Sequence, residues 1–330
     1  VNDATLLAPA PLPRGISVVI PCYHSEGSIG LVVEQLRPVL AGLAPAYEII
    51  LVDDASRDQT GRIIAALART YVEVTAISLM RNYGQHAAIL CGIRAARFDV
   101  LVTMDDDLQH PPEELPKLIA ALTEDLDVVY GSPKREPHGV MRGAASRITK
   151  WVLQGAMGAD TAGKASAWRA FRTRLRDAFE QFRGSFVSID VLLTWGTQQF
   201  THVEVRHDPR TIGKSNYTLR KLVRHAINMM TGFSTIPLQL ASWIGFALTG
   251  LGLALFGFVL IRYLADGGQS APGFPFLACT IAVFSGAQLL CLGIIGEYLG
   301  RAHFRLLDRP AYQVRTAVRG GSAPDPASPR

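Results

Sequence analysis

The run Val100-Leu101-Val102-Thr103-Met104-Asp105-Asp106-Asp107-Leu108-Gln109-His110-Pro111-Pro112-Glu113 passes from apolar residues to three consecutive carboxylates and then to a proline pair. A compact apolar run between breakers reads as a buried strand, Val100–Asp105, and the prolines open a helix pattern over Pro112–Thr123. Three adjacent carboxylates repel one another unless a cation gathers them. Alternate side chains of an extended chain point the same way, so Asp105 and Asp107 can converge on one hard cation. Mg²⁺ or Mn²⁺ held by one or two carboxylates plus substrate phosphate oxygens is a common arrangement. The other reading of these residues is a solvated acidic turn that caps the helix near Pro112.

The same unit recurs on the N-terminal side. Apolar runs at Ile16–Pro21, Glu48–Asp53, Val72–Leu79 and Val128–Gly131 alternate with helix patterns at Ser28–Leu40, Gln59–Thr70 and Gln85–Ala96. Strands alternating with helices predict an α/β fold with a doubly wound, mostly parallel sheet, in which ligands bind off the carboxyl ends of the strands. Two further polar clusters stand at such ends. Asp53 and Asp54 close the second strand, where a carboxylate can accept hydrogen bonds from a base and from ribose hydroxyls; Asp58 reads as the cap of the following helix. Tyr23, in Pro21-Cys22-Tyr23-His24-Ser25-Glu26, could stack on a base. Further on, Ala144–Met157 and Leu175–Phe182 read as helices, and Gln199–Arg206 alternates like a strand.

The last third differs in composition. Residues 226–261 and 267–296 contain no Asp, Glu, Lys, Arg or His, and each stretch exceeds the ~20 apolar residues a helix needs to cross a bilayer. Lys214, Arg220, Lys221 and Arg224 precede them, Arg301, Arg305 and Arg309 follow, and the connection carries only Arg262 and Asp266. By the positive-inside rule both flanks are cytoplasmic and the connection is outside, a two-helix hairpin with spans at about 238–261 and 274–296. Apolar positions at helical spacing from Tyr217 to Phe233, interleaved with Arg220, Lys221 and Arg224, predict a helix lying in the membrane interface. The first residues, Val1 to Arg14, lack a charged region followed by an apolar one, so the large domain is expected in the cytoplasm. The expected organisation is an N-terminal tail (1–15), a cytoplasmic domain (16–216), the interface helix (217–234), the hairpin (235–298), a juxtamembrane segment (299–313) and a disordered tail (314–330). Anionic lipid explains the net charge of +5, so no nucleic-acid partner is expected. The four cysteines form neither a disulfide framework nor a Cys-x-x-Cys pair and read as small buried hydrophobes.

Ile-Pro-Cys-Tyr with Glu26, Val-Asp-Asp-Ala-Ser at 52–56, Arg81-Asn82-Tyr83-Gly84 and Asp105-Asp106-Asp107-Leu-Gln-His-Pro-Pro-Glu stand in this order. Together they resemble the family-2 glycosyltransferases. Within these, the chain is most similar to polyprenyl-phosphate glycosyltransferases of the dolichol-phosphate-mannose-synthase type, in the bacterial subgroup with a C-terminal membrane hairpin. Arg210-x-x-Gly213-x-Ser215-x-Tyr217, Gly293-Ile-Ile-Gly-Glu297-Tyr298-Leu-Gly-Arg301 and Arg309-Pro310-x-Tyr312 extend the resemblance over roughly residues 16–313.

The resemblance implies a GT-A-like sheet and an enzyme that transfers a sugar from a UDP- or GDP-linked donor to a polyprenyl phosphate at the cytoplasmic membrane. It implies that Asp105, Asp107 and Gln109 hold Mg²⁺ or Mn²⁺. Pro21, Tyr23, Glu26, Asp53, Asp54, Arg81, Asp106 and Ser215 would bind the donor, with Arg210 and Ser215 closing over its diphosphate; Asp105, Asp107 and Arg210 would be the catalytic residues, and Arg142 and Arg147 would meet the acceptor phosphate. It implies a homo-oligomer, a tetramer, with Gly245, Gly250, Gly252 and Gly257 available for close helix packing.

Two positions depart from the pattern. Asn216 stands where relatives commonly have Lys. Ala165-Ser166-Ala167-Trp168-Arg169 stands where they often have Gly-Asp-Phe-Arg, so the aspartate given a catalytic role in some of them has no counterpart, and Asp160 is out of register. A lipid phosphate is already an anion near neutral pH and needs no base to deprotonate it. In-line attack on the anomeric carbon would invert it. A processive polysaccharide synthase and a non-catalytic membrane scaffold are the competing readings. The first expects more spans and a Gln-x-x-Arg-Trp signature, which is missing. A sugar-phosphate nucleotidylyltransferase would want a Gly-rich loop after the first strand, where Pro-Cys-Tyr-His stands.

Overall fold

The computed structural model describes residues 14–133, 164–184, 187–208, 236–265, 274–306 and 310–320. These fall into two compact units, one built from the N-terminal two thirds plus the segment after residue 308, the other from residues 223–308.

The first unit is organised on strands β1 (Ile16–Cys22), β2 (Tyr47–Asp53), β3 (Val74–Leu79), β4 (Val100–Thr103), β5 (Val128–Pro133), β6 (Arg169–Arg172), β7 (Phe200–Val205) and β8 (Val314–Arg319). Their order across the sheet is β7-β5-β6-β4-β1-β2-β3-β8. β4, β1, β2 and β3 are mutually parallel neighbours, with Val19 beside both Ile50 and Thr103. Helices α1 (Ile29–Leu43), α2 (Thr60–Thr70), α3 (Gln85–Ala95) and α4 (Leu115–Ala121) supply the crossovers, and α5 (Ile189–Gly196) precedes β7. All seven residues of β1 are buried, as a central parallel strand covered on both faces requires. Gly92 of α3 lies so close to β1 that a Cβ there would come within 2.3 Å of the Val19 side chain.

The predicted strands and helices up to residue 133 are present with end shifts of a few residues. The helix expected at Pro112–Thr123 starts as a 3₁₀ turn, Pro112–Glu114, before α4, and the one expected at Leu175–Phe182 is a 3₁₀ helix over Thr173–Phe179. Two strands were not expected. β6 inserts antiparallel between β4 and β5. Its first residue, Arg169, is a buried cation paired with Asp190, which also accepts from the Tyr130 hydroxyl at 2.9 Å. A strand that opens and closes on arginine carries no apolar signature. β8 corrects the disordered tail placed at 314–330: residues 314–319 pair antiparallel with β3, and Arg315 donates to the Met80 carbonyl at 2.9 Å. Its side chains are mostly exposed, so backbone hydrogen bonding rather than burial holds it at the sheet edge.

The second unit contains α6 (Ile236–Ala265) and α7 (Phe274–Leu306). Cys291 contacts the Ala241 carbonyl at 3.5 Å, and Gly252 faces the Phe284 ring, so the two helices run antiparallel. The stretch Leu238–Ala265, whose most apolar 18 residues have mean hydropathy 2.3, is long and apolar enough to cross a membrane. Its 28 residues reach about 42 Å at the α-helical rise, beyond the ~30 Å of bilayer hydrocarbon. Within α7 the apolar part among the described residues is the shorter Phe284–Gly300. The interface helix expected at 217–234 and the helix expected at Ala144–Met157 lie outside the described residues.

Candidate active site

The carboxyl ends of β1, β2 and β4 bring the three polar clusters to one edge of the sheet. Each cluster contains one non-glycine residue with left-handed backbone: His24 (φ 57°), Ala55 (φ 56°) and Leu108 (φ 61°). Such a conformation costs on the order of 1 kcal/mol or more per residue. All three strained residues of this kind among the described residues therefore sit where the chain leaves a strand beside a carboxylate.

The loops are cross-tied. The Asp54 amide donates to the Cys22 carbonyl at 3.0 Å, the His24 amide to Ser56 Oγ at 3.1 Å and the Ser25 amide to Thr60 Oγ1 at 2.8 Å. Glu26 accepts from the Gln59 amide at 2.9 Å and Asp58 from the Thr60 amide at 3.1 Å, so both acids serve the start of α2. Glu26, expected to face the nucleoside, is spent at least in part on that helix.

Each carboxylate has an identifiable job. Asp53 is buried and accepts from the Ser56 amide at 3.0 Å. Asp54 is 2% exposed and accepts from the Tyr83 amide at 2.7 Å and the Gly84 amide at 2.8 Å, one oxygen for each. Burial raises its pKa, and the two amides pull the other way. Asp54 is thus a positioning residue that fixes the Arg81–Gly84 loop, with Arg81 itself over the Tyr83 ring at 4.6 Å. Asp106 turns toward β1, accepting from the Ser25 hydroxyl and from the Tyr23 amide at 3.4 Å; burial is the main cause of its raised pKa. Tyr23 remains 43% exposed and stacks on His24 with ring centroids 4.2 Å apart, leaving area for a planar ligand. Pro21 is buried within β1.

Asp105 accepts from Gln85 Nε2 at 2.6 Å at the start of α3. Asp107 is 7% exposed and accepts from the Gln109 amide at 3.1 Å. Gln109 donates from Nε2 to the Asp208 carbonyl at 3.4 Å and receives the Asp208 amide on its own carbonyl at 3.0 Å, which ties the loop after β4 to the chain after β7. Among the described residues, no group of three or more His, Cys, Asp and Glu is placed so as to hold a metal ion. Two carboxylates and a side-chain amide are hard oxygen donors, too few for a cage but suited to a Mg²⁺ or Mn²⁺ that completes its shell with water and phosphate oxygens. The donor set fits such an ion. Arg142, Arg147, Arg210 and Ser215 lie outside the described residues.

Beside Asp105 and Gln109 opens a cavity of about 290 Å³ whose remaining lining includes His110, Ser132, Lys164, Ser166 and His207. His110 is buried, its Nδ1 has no hydrogen-bond partner, and burial holds its pKa down to about 4. Its ring stacks on the buried Trp168 at 5.0 Å and meets His207 edge-on at 5.4 Å. None of His110, His207, Trp168, Ser25 or Gln85 was a candidate from the sequence. His110 stood one residue from a named ligand, but only the sheet order brings it beside residues 164–168 and 207.

The Glycosyl transferase family 2 description matches residues 17–183, which include every carboxylate of this edge. The undecaprenyl-phosphate 4-deoxy-4-formamido-L-arabinose transferase of Pseudomonas fluorescens (strain SBW25) is 35% identical over 317 residues, covering 95% of this chain and 92% of its own. The protein of the same description from Yersinia enterocolitica is 32% identical, covering 92% and 94%. Among solved structures, glucosyl-3-phosphoglycerate synthase from Mycobacterium tuberculosis in complex with phosphoglyceric acid superposes with a TM-score of 0.49 at 21% identity, over 66% of this chain and 78% of that one. The same synthase with Mn²⁺, uridine-diphosphate and phosphoglyceric acid gives 0.46 at 21% identity over 66% and 76%. Strand-end carboxylates on a mostly parallel sheet, a family match across half the sequence and relatives similar almost end to end agree: the chain belongs to glycosyl transferase family 2, glycosyltransferase enzymes, with a GT-A-like fold.

Proposed function

We propose that this glycosyltransferase moves a sugar from a UDP- or GDP-linked donor to a polyprenyl phosphate, undecaprenyl phosphate being the first acceptor to test. The observation that carries this reading is the convergence of Asp53, Asp105, Asp107 and exposed Tyr23 on one sheet edge in a chain that also contains an apolar helix of membrane-spanning length. Relatives 35% identical over 95% of the chain, named for transfer to undecaprenyl phosphate, support the acceptor class.

Asp53 and Tyr23 would bind the nucleoside, with Asp54 and Asp106 holding their loops in place. Asp105, Asp107 and Gln109 would hold a divalent cation against the donor diphosphate. When bound, that ion supplies charge neutralisation to the leaving nucleoside diphosphate. The acceptor phosphate is its own nucleophile, so the chain's task is to position it in line and exclude water. Arg142 and Arg147 are proposed for this, because guanidinium groups bind phosphate bidentately, and Arg210 and Ser215 are proposed to close over the diphosphate. Attack from the far side gives a β-linked sugar phosphate from an α-linked donor.

The hairpin is proposed to cross the bilayer twice with both flanks cytoplasmic, and labelling of a cysteine placed near Gln269 should be possible only from outside. Gly252 is occupied by Phe284 within the hairpin, whereas Gly245, Gly250 and Gly257 face open space, which supports packing against a second copy in a tetramer. The direct test is transfer of label from a panel of nucleotide-sugars to undecaprenyl phosphate in vesicles. A lipid-extractable sugar phosphate of inverted configuration is the expected product; a polymer, or no lipid-linked product from any donor, would reject the proposal.

A further inference from the structure

We propose that His110, carried on Trp168 and flanked by His207, recognises a hydroxyl of the transferred sugar and so helps set which sugar the enzyme accepts. This rests on the donor reading above and deepens it.

Three observations carry the assignment. The first is the cavity itself. Asp105 and Gln109 form part of its wall, so a group bound there lies next to the diphosphate those residues would serve. At about 290 Å³ it stands at the bottom of the range for ligand pockets, room for one sugar ring and not for a nucleoside. Gly131, Ala165 and Ala167 supply little side-chain bulk, while Ser132, Lys164 and His207 make the lining polar, which suits hydroxyls and does not suit a prenyl tail.

The second is the imidazole. His110 is 7% exposed, and its Nδ1 is buried with no hydrogen-bond partner. Buried polar side chains nearly always find a partner, and one left unmade costs about 1–3 kcal/mol. Nδ1 is closed to solvent in this rotamer; a half-turn about χ2 exchanges it with Cδ2, and a ring hydroxyl, both donor and acceptor, can pair with whichever nitrogen then faces the cavity.

The third is how the ring is held. Trp168 is fully buried beneath it, at an interplanar angle of 26°, and His207 approaches edge-on at 82°. The Ser166 hydroxyl, on the segment leading to Trp168, lies 2.6 and 2.9 Å from the Gly131 and Trp168 carbonyls and shares its one proton between them, which fixes this part of the lining. A side chain fixed by stacking is preorganised for discrimination, because a site built to hydrogen-bond a hydroxyl rejects the analogue lacking it.

The test compares sugar-bearing and sugar-free ligands on the full-length protein in Mn²⁺. Calorimetry is run with UDP, GDP, UDP-glucose, GDP-mannose and UDP-4-deoxy-4-formamido-L-arabinose on wild type, His110→Ala, His110→Asn and His207→Ala. For the nucleotide-sugar that binds wild type most tightly, His110→Ala should weaken affinity about tenfold, the worth of one good hydrogen bond, while affinity for the bare diphosphate changes less than about twofold. His110→Asn, which keeps a donor and an acceptor, should recover most of the loss, and His207→Ala should weaken the nucleotide-sugar alone by a smaller factor. Equal losses for nucleotide-sugar and diphosphate in both His110 variants would show a purely structural role and overturn the subsite, as would unchanged nucleotide-sugar binding. Failure of wild type to bind any of the nucleotides would sink the donor reading, and the subsite with it.

Discussion

At the amino end of the sheet Glu48 is met by the Arg97 guanidinium at 2.8 Å and by Ser17 at 2.7 Å, and Asp127 is met by Arg174 at 2.9 Å and Thr197 at 2.7 Å. At the carboxyl end Asp53, Asp54 and Asp106 are held by backbone amides and a serine hydroxyl, with no ion-pair partner among the described residues. Both ends hold acids, but among the described residues Glu48 and Asp127 have ion-pair partners, whereas Asp53, Asp54 and Asp106 are held by dipoles. Amide and hydroxyl dipoles orient a carboxylate without neutralising it, so Asp53, Asp54 and Asp106 are fixed in place by groups that carry no formal charge. The backbone repeats the asymmetry: His24, Ala55 and Leu108 put left-handed conformations at the carboxyl end. The left-handed residues are thus concentrated at the end proposed to bind donor and cation rather than at the end where ion pairs support the sheet.

The largest effect that would break this contrast is expected at Asp105 and Asp107, the proposed metal ligands. Asp107→Asn or Asp105→Asn should lower turnover by about 100-fold or more, since a carboxylate gripping a catalytic ion is not replaced by an amide. The folded protein should melt within a few degrees of wild type; near-normal turnover of either variant would remove the functional distinction between the two ends. Asp54→Ala comes next. It leaves the Tyr83 and Gly84 amides without their acceptor and should cost about 1–3 kcal/mol of stability, together with nucleotide affinity, as the Arg81–Gly84 loop loosens. Denaturant unfolding and nucleotide titration read the two effects separately.

At the other end, Arg97→Ala removes an ion-pair partner from a buried Glu48 that keeps the Ser17 hydroxyl at 2.7 Å and the residue 97 amide at 2.7 Å. Loss of about 1–2 kcal/mol of stability is expected, with nucleotide affinity unchanged. A shift in affinity would show that the amino end is coupled to the site. Arg174→Ala should do least, within about 0.5 kcal/mol, because that side chain is 71% exposed and water replaces it readily.

The contrast also explains what the sequence could and could not show. Asp53, Asp105 and Asp107 were legible because each follows a run of buried β-branched and apolar residues, and strand periodicity alone puts such acids at a sheet end. The parallel core of β1, β2, β3 and β4 followed from the same runs. β6 was hidden because Arg169 and Arg172 open and close it, and its burial depends on Asp190, a residue 21 positions away. β8 was hidden because an exposed edge strand has no apolar face to betray it. The jobs of Asp54 and Glu26 turn on individual amide contacts, and His110 becomes a candidate only once Trp168 and His207 are folded against it. Long-range pairing, not local pattern, decides these.

The most direct measurement is the metal dependence of donor binding at the two ends. Calorimetric titration of the nucleotide-sugar found by the vesicle assay, with Mn²⁺ and with EDTA, should show tight binding only with the metal in wild type and in Arg97→Ala, and no metal-dependent gain in Asp107→Asn. Equal affinity with and without Mn²⁺ in wild type, or a full metal response in Asp107→Asn, would contradict the assignment of the carboxyl-end acids to cation and donor binding.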